Sequence, residues 1–172
     1  HDGDTSCLDD FEDKDAVSPE AVGAVSALIS AGYVDGSEGK LDPQADTTIA
    51  EFARILDAMI QGYITEAGEY AEVPDGNIMI NAPDVTLKDV TVSGDLIIGD
   101  GVGDGDVTLE NVNVTGRVVV RGGGVNSIKV AGSSSLGKII VARVNGEVRV
   151  FAEDGTEVGD ITADGQDDVI VE

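Results

Sequence analysis

Tryptophan is absent from this 172-residue chain, and aromatic residues make up only 3% of it. A roomy pocket lined with aromatic side chains is therefore not expected. Histidine occurs once, as His1, and cysteine once, as Cys7. Nucleophile–base pairs and triads thus lack their partners, and the chain is not expected to be an enzyme. Cys7 cannot close an internal disulfide, which leaves a free thiol or an intermolecular disulfide. Positive charge is scarce: 10 Lys and Arg stand against 34 Asp and Glu, a formal net charge of −24. Such a surface argues against nucleic acid and against an anionic membrane face. No apolar run approaches transmembrane length, so no membrane insertion is expected. The sequence starts at His1 without a Met, consistent with a removed export signal or a trimmed chain.

Glycine, by contrast, is plentiful at 23 residues, and the hydrophobic 41% is nearly all aliphatic. Thin, regular β layers with tight turns suit that composition. Charge is unevenly distributed. Residues 1–75 hold 18 acids against 3 bases, giving −15, whereas residues 111–150 hold six bases (Arg117, Arg121, Lys129, Lys138, Arg143, Arg149) and one acid, Glu147.

Residues 18–62 carry a helical period. Ser18-Pro19 is a cap followed by proline at the first helical position. Val22, Val25, Leu28 and Ile29 follow at helical spacing, and Gly32 stands where a left-handed terminator belongs. A second helix opens on Thr48-Ile49-Ala50-Glu51, a capping box. Phe52, Ile55, Leu56, Met59 and Ile60 form its apolar stripe, with Gly62 expected to end it.

From Asn77 the period becomes two. Apolar-x-apolar triplets begin at Ile78, Val85, Val90, Leu96, Val107, Val112, Val118, Ile128, Ile139, Val148 and Val169. Their outer members should face inward and their middle members outward. The triplets at Val85, Val90 and Leu96 recur 22 residues later at Val107, Val112 and Val118, and in the same echo Asp89 maps to Asn111 and Gly94 to Gly116. Three short strands per repeat at this period predict a solenoid of four to five coils, about 20 Å tall. A stack that short exposes its ends. The helical module is expected to cap one end, while Val169, Ile170 and Val171 still read as a strand at the other and are candidates for subunit stacking.

Phe11-Glu12-Asp13, Ala31-Gly32-Tyr33-Val34-Asp35-Gly36, Leu41-Asp42-Pro43 and Thr48-Ile49-Ala50-Glu51-Phe52 together resemble the surface-layer homology family. That family shows an F-x-D start, a helix, a G-[IY]-[VI]-x-G turn, an F/L-x-P step and a T-R-A-E helix start. The resemblance implies anchoring to secondary cell-wall polysaccharide, usually by three tandem copies. Here one copy is present, and Ile49 stands where the family places its polymer-contacting arginine. The stretches 94–107 and 121–128 resemble β-helical segments of Gram-positive surface proteins. That implies a right-handed parallel β-helix of pectate-lyase-like architecture.

The expected organisation is α plus all-β: an acidic N-terminal segment (1–17), a helical module (18–66), a linker (67–76) and a parallel β-helix (77–172). Asp100, Asp104 and Asp106, in a Gly-rich turn, are candidate Ca²⁺ ligands, with a solvated corner as the other reading. No cofactor is otherwise required. Arg117, Arg121, Lys129, Lys138, Arg143 and Arg149 are candidate contacts to an anionic polysaccharide or to another copy's acidic front, or else are scattered around the perimeter. The leading expectation is an extracellular structural protein that self-associates into a surface layer or filament. A carbohydrate-binding module is the alternative. A polysaccharide lyase is the third, disfavoured because no carboxylate cluster accompanies the arginines.

Overall fold

The change of period at the middle of the chain becomes a division into two units, His1–Met59 and Ile60–Glu172. The computed structural model describes residues 5–125, 127–143, 146–163 and 169–171; His1 lies outside them.

In the front unit, short 3-10 turns at Ser6–Asp10 and Lys14–Ala16 precede α1 (Val22–Ser30) and α2 (Ile49–Met59). α1 starts at Val22, not at Pro19: its N-cap is Ala21, which makes no side-chain cap bond, and Ser18-Pro19 instead opens a turn in which the Ser18 carbonyl accepts from the amides of Ala21 and Val22. Gly32 ends α1 at φ +74°, and the Tyr33 amide reaches back to the Leu28 carbonyl at 2.9 Å. This is the left-handed ending that glycine permits at lowest cost. The capping box forms as expected: the Glu51 carboxylate accepts from the Thr48 amide at 2.8 Å, and the Thr48 hydroxyl accepts from the Glu51 amide at 3.2 Å. α2 stops at Met59 rather than at Gly62, because the Gly62 amide is already bonded to the Asn77 carbonyl in a β ladder.

Strands of the back unit are, in chain order, β1 (Gly62–Ile64), β2 (Gly68–Tyr70), β3 (Ile78–Ile80), β4 (Val85–Lys88), β5 (Thr91–Val92), β6 (Leu96–Ile98) and β7 (Val107–Glu110). They continue as β8 (Asn113–Val120), β9 (Ile128–Ala131), β10 (Ser135–Val141), β11 (Val148–Ala152), β12 (Glu157–Val158), β13 (Ile161–Ala163) and β14 (Val169–Val171). Every strand pairing is parallel, and each strand pairs with its equivalent one coil away. The result is a parallel β-solenoid of about five turns. One wall stacks β2, β4, β7, β9, β11 and β14. The other stacks β1, β3, β6, β8 and β10, with β5 on the first half of β8, and β12 and β13 on the two halves of β10. The three strand positions per coil are those of the triplets, two of them fusing into one strand in β8 and β10.

Stacking in register makes the core a set of aliphatic columns. Ile78, Leu96, Val118 and Ile139 form one; Val85, Val107 and Ile128 another; Val92, Val114 and Leu136 a third. All are buried. Each contributes roughly 1.5–3 kcal/mol relative to an exposed side chain.

The solenoid begins earlier than the triplets indicated, and the expected linker 67–76 contains β2. β1 and β2 each begin with glycine, so neither has an apolar residue at both ends. A Cβ on Gly62 would lie 2.6 Å from Ile78 Cδ1, so a larger residue there would displace that methyl group.

Two corners repeat up the stack. Before the second wall, Gly76, Gly94, Gly116, Gly137 and Gly159 each stand two residues ahead of an inward residue. A Cβ on Gly116 would lie 2.5 Å from the Gly94 carbonyl oxygen. After the first wall, Asp89 (φ +55°), Asn111 (φ +54°) and Gly132 (φ +68°) share one left-handed turn, a conformation Asn and Asp tolerate better than other side chains. Asn111 Nδ2 donates to Asp89 Oδ1 at 2.8 Å, and the Ser133 amide donates to Asn111 Oδ1 at 3.0 Å.

Gly116→Ala should therefore lower stability by about 1–3 kcal/mol through overpacking. Gly137→Ala, where the nearest atom is 3.7 Å away, should stay within about 0.5 kcal/mol of the parent. Urea unfolding of both variants checks the contrast.

Candidate functional site

In the front unit the motif residues converge on one knot. The Asp13 carboxylate accepts from the amides of Leu41 at 2.9 Å and Asp42 at 2.7 Å. It thereby ties the Phe11-Glu12-Asp13 start to the Leu41-Asp42-Pro43 step. Those bonds, with Leu41's the strongest, hold the Asp13 carboxyl below its usual range. Phe11 lies against Gly36, where a Cβ would meet its ring at 2.6 Å, and the Glu12 amide donates to the Gly39 carbonyl at 2.9 Å. The first three motif elements are thus tied to one another, while the Thr48–Glu51 capping box closes on itself. The expected α2 stripe is only partly covered: Ile55, Met59 and Ile60 are half-buried while Phe52 is 57% and Leu56 45% exposed, and Ile49 ahead of them is 89% exposed. Arg54, on the same helix, lies 3.7 Å from Asp35.

Cys7 is half-buried between the first 3-10 turn and α1, with its thiol 3.5 Å from the Ser26 carbonyl and accepting from the Ser30 hydroxyl at 3.6 Å.

On the solenoid, the expected basic stripe is not assembled. Arg117 and Lys138 stack on the second wall, with Arg121 further along the same strand as Arg117. Lys129 and Arg149 belong to the first wall. Three of these cations meet an acid about one coil away, Arg117 with Asp95 at 2.5 Å, Arg121 with Asp100 at 3.2 Å and Lys129 with Glu153 at 2.8 Å, and Arg143 meets Asp104, 39 residues away, at 2.5 Å. Arg149 lies over the Phe151 ring at 5.0 Å. Lys138 has no ion pair among the described residues. The cause is the period itself, which sets acids and bases about one coil apart in sequence directly against one another. These residues are struts between rungs, and a free anion-binding face is not what they form.

The same pairing undoes the candidate Ca²⁺ turn. Asp100 and Asp104 are engaged by arginines, and among the described residues no three of His, Cys, Asp and Glu converge to hold a metal. Asp104 and Asp106 instead line an open cleft of about 330 Å³ with Gly124, Val125 and Glu147.

Sequence reasoning missed Asp95. Its Oδ1 accepts the Arg117 amide at 2.7 Å, continuing a ladder in which Gln61 Oε1 accepts the Asn77 amide and Asn77 Oδ1 accepts the Asp95 amide. Burial pushes the Asp95 carboxyl up, but the Arg117 guanidinium and amide outweigh it, and the group titrates below its usual range. Only the last step, Asp95 to Arg117, keeps the 22-residue interval of the triplet echo; the earlier steps of 16 and 18 residues do not.

Residues 10–53 match the S-layer homology domain. In the chain that match is followed by the parallel β-solenoid of about five turns. No curated protein and no solved structure matches the chain. S-layer homology domains bind secondary polymers of the cell wall, which marks a cell-surface protein. No helix among the described residues is long and apolar enough to cross a membrane.

Because the Asp95 pKa is depressed on folding, its contribution is present above the ordinary carboxylate value near 3.9 and is lost as pH falls through the folded value. Asp95→Asn should be less stable than the parent at pH 7, and the difference should shrink below about pH 4. Thermal unfolding across pH 2–7 checks this. In the S-layer homology domain, Asp13→Ala should speed amide exchange at Leu41 and Asp42, read by hydrogen-exchange NMR.

Proposed function

We propose that this protein is an extracellular structural component of the bacterial surface, not an enzyme. Its S-layer homology domain holds it to an anionic wall polysaccharide, and its solenoid associates with further copies into a layer or filament. The observation that supports self-association is the outward face of the second wall, where Met79, Ile97, Val119 and Ile140 align from coil to coil in an apolar column. Wall attachment is supported by the domain match, and its chemistry turns on Ile49. This side chain occupies the position where the family carries arginine, and its 89% exposure puts it within reach of a polymer without offering a charge. Four of the solenoid's six candidate cations are engaged by acids, and the family match lies in the front unit, so polymer binding is assigned there.

Ile49→Arg should raise retention on purified wall sacculi about fivefold, the effect of one exposed charge contact of ~1 kcal/mol. Co-sedimentation with sacculi measures it. Sedimentation velocity of the full chain should show concentration-dependent association. A monomer at every concentration, both free and on sacculi, would remove the self-association half of the proposal.

A further inference from the structure

The middle residue of each triplet on the second wall points away from the core, and there the register builds a second apolar column. Tyr63 pairs with Met79, Met79 with Ile97, Ile97 with Val119, Val119 with Ile140, and Ile140 with Thr162. Tyr63 is 58% exposed, and Met79, Ile97, Val119 and Ile140 are half-buried by their rung neighbours. The equivalent column on the first wall is more polar, carrying Glu69, Thr86, Thr108 and Lys129 before it ends on Phe151. Flanking the apolar column on one side, in the same register, run Gln61, Asn77, Asp95, Arg117, Lys138 and Asp160.

We infer that this wall is the face through which two copies pair, sheet against sheet, with the coils of one running opposite to those of the other. This rests on the self-association proposed above and names its surface. The order of charges selects the arrangement. With the two-fold axis along the strands and centred between the rungs of Ile97 and Val119, Asp95 faces Arg117 of the other copy, Asn77 faces Lys138, and Gln61 faces Asp160. Ile97 then meets Val119, Met79 meets Ile140, and Tyr63 meets Thr162. No like charges oppose, and the interface is isologous, as a two-fold contact requires. The opposite choice, with coils running the same way, brings Arg117 of one copy level with Arg121 of the other on a shared rung. Like-charge opposition of that kind disfavours it.

Six rungs at about 4.8 Å and five residues of strand give a face of roughly 400 Å² per partner. The total of about 800 Å² is below the ~1,200–2,000 Å² of stable complexes. The contact is therefore weak between free chains and becomes effective when the front domain concentrates copies on the wall.

The test uses the full chain with Cys7→Ser, in which Met79→Cys and Ile140→Cys are made on separate chains. A short bis-maleimide should link the mixed chains, and neither chain alone should link, since like residues lie three rungs apart in the reversed pairing. Val119→Lys, on the outer surface, should leave the thermal midpoint nearly unchanged and weaken association measured by sedimentation at least tenfold. Linking of the Met79→Cys chain to itself would overturn the reversed order. Parent-like association by the Val119→Lys chain, with no linking in the mixture, would overturn this face while leaving self-association standing. A parent chain that stays monomeric both free and on sacculi would remove the reading on which the inference rests.

Discussion

Parallel, in-register stacking puts each residue of the back unit over its equivalent one coil below, and this constraint decides the rest of that unit. An aliphatic side chain at an inward position is covered by an aliphatic side chain above and below. Ile78, Leu96, Val118 and Ile139 are consequently buried without any aromatic contribution. The same constraint forces the corners. Where one backbone passes directly over another, as at Gly94 and Gly116, a side chain has no room. Where the turn is left-handed, Asp89, Asn111 and Gly132 recur. Polar groups obey it as well, since the ladder Gln61, Asn77, Asp95 satisfies the amide of the next coil at each step. Individual ion pairs at these exposed positions contribute little, about 0–1 kcal/mol each. What they contribute is registry, because each fits only when the coils are aligned.

The front unit rests on a different economy. It has few buried side chains, and its motif residues work as ties between segments that do not otherwise pack. Asp13 bonds the two amides of the Leu41-Asp42 step, Phe11 closes on Gly36, and Thr48 and Glu51 cap α2 reciprocally. Several of the motif residues are thus structural in this chain, while Ile49, Phe52 and Leu56 on α2 remain exposed.

Much of this was legible in the residues because the solenoid's inward positions alternate strictly and its middle coils keep a 22-residue step. The first two strands were hidden because Gly62 and Gly68 occupy positions where the pattern expects a large apolar residue, and because the early coils are shorter: Gly62 pairs with Ile78, 16 residues on, and Ile78 with Leu96, 18 residues on. The basic residues misled for an instructive reason. Read along the chain, Arg117 to Arg149 form a cluster; read around the coil, Arg117 lies on Asp95, 22 residues away, and Arg121 on Asp100, 21 away. Linear charge density is a poor guide in a solenoid, where the neighbour that matters is one period distant. The outer apolar column of Met79, Ile97, Val119 and Ile140 lay in plain view as the middle members of the triplets. Its meaning emerged only once the register showed them aligned.

The account therefore stands or falls on the register of the first wall. Glu69, Thr86, Thr108, Lys129 and Phe151 occupy successive coils in one outward column. Spin labels at Glu69 and Phe151, measured by pulsed electron resonance, should be separated by four rungs, about 19 Å between backbones. A single narrow distribution at that separation, broadened only by label length, is the predicted result. A separation beyond twice that value, or one that varies with antiparallel hairpin pairing of these strands, would contradict the stacked solenoid and everything built on it.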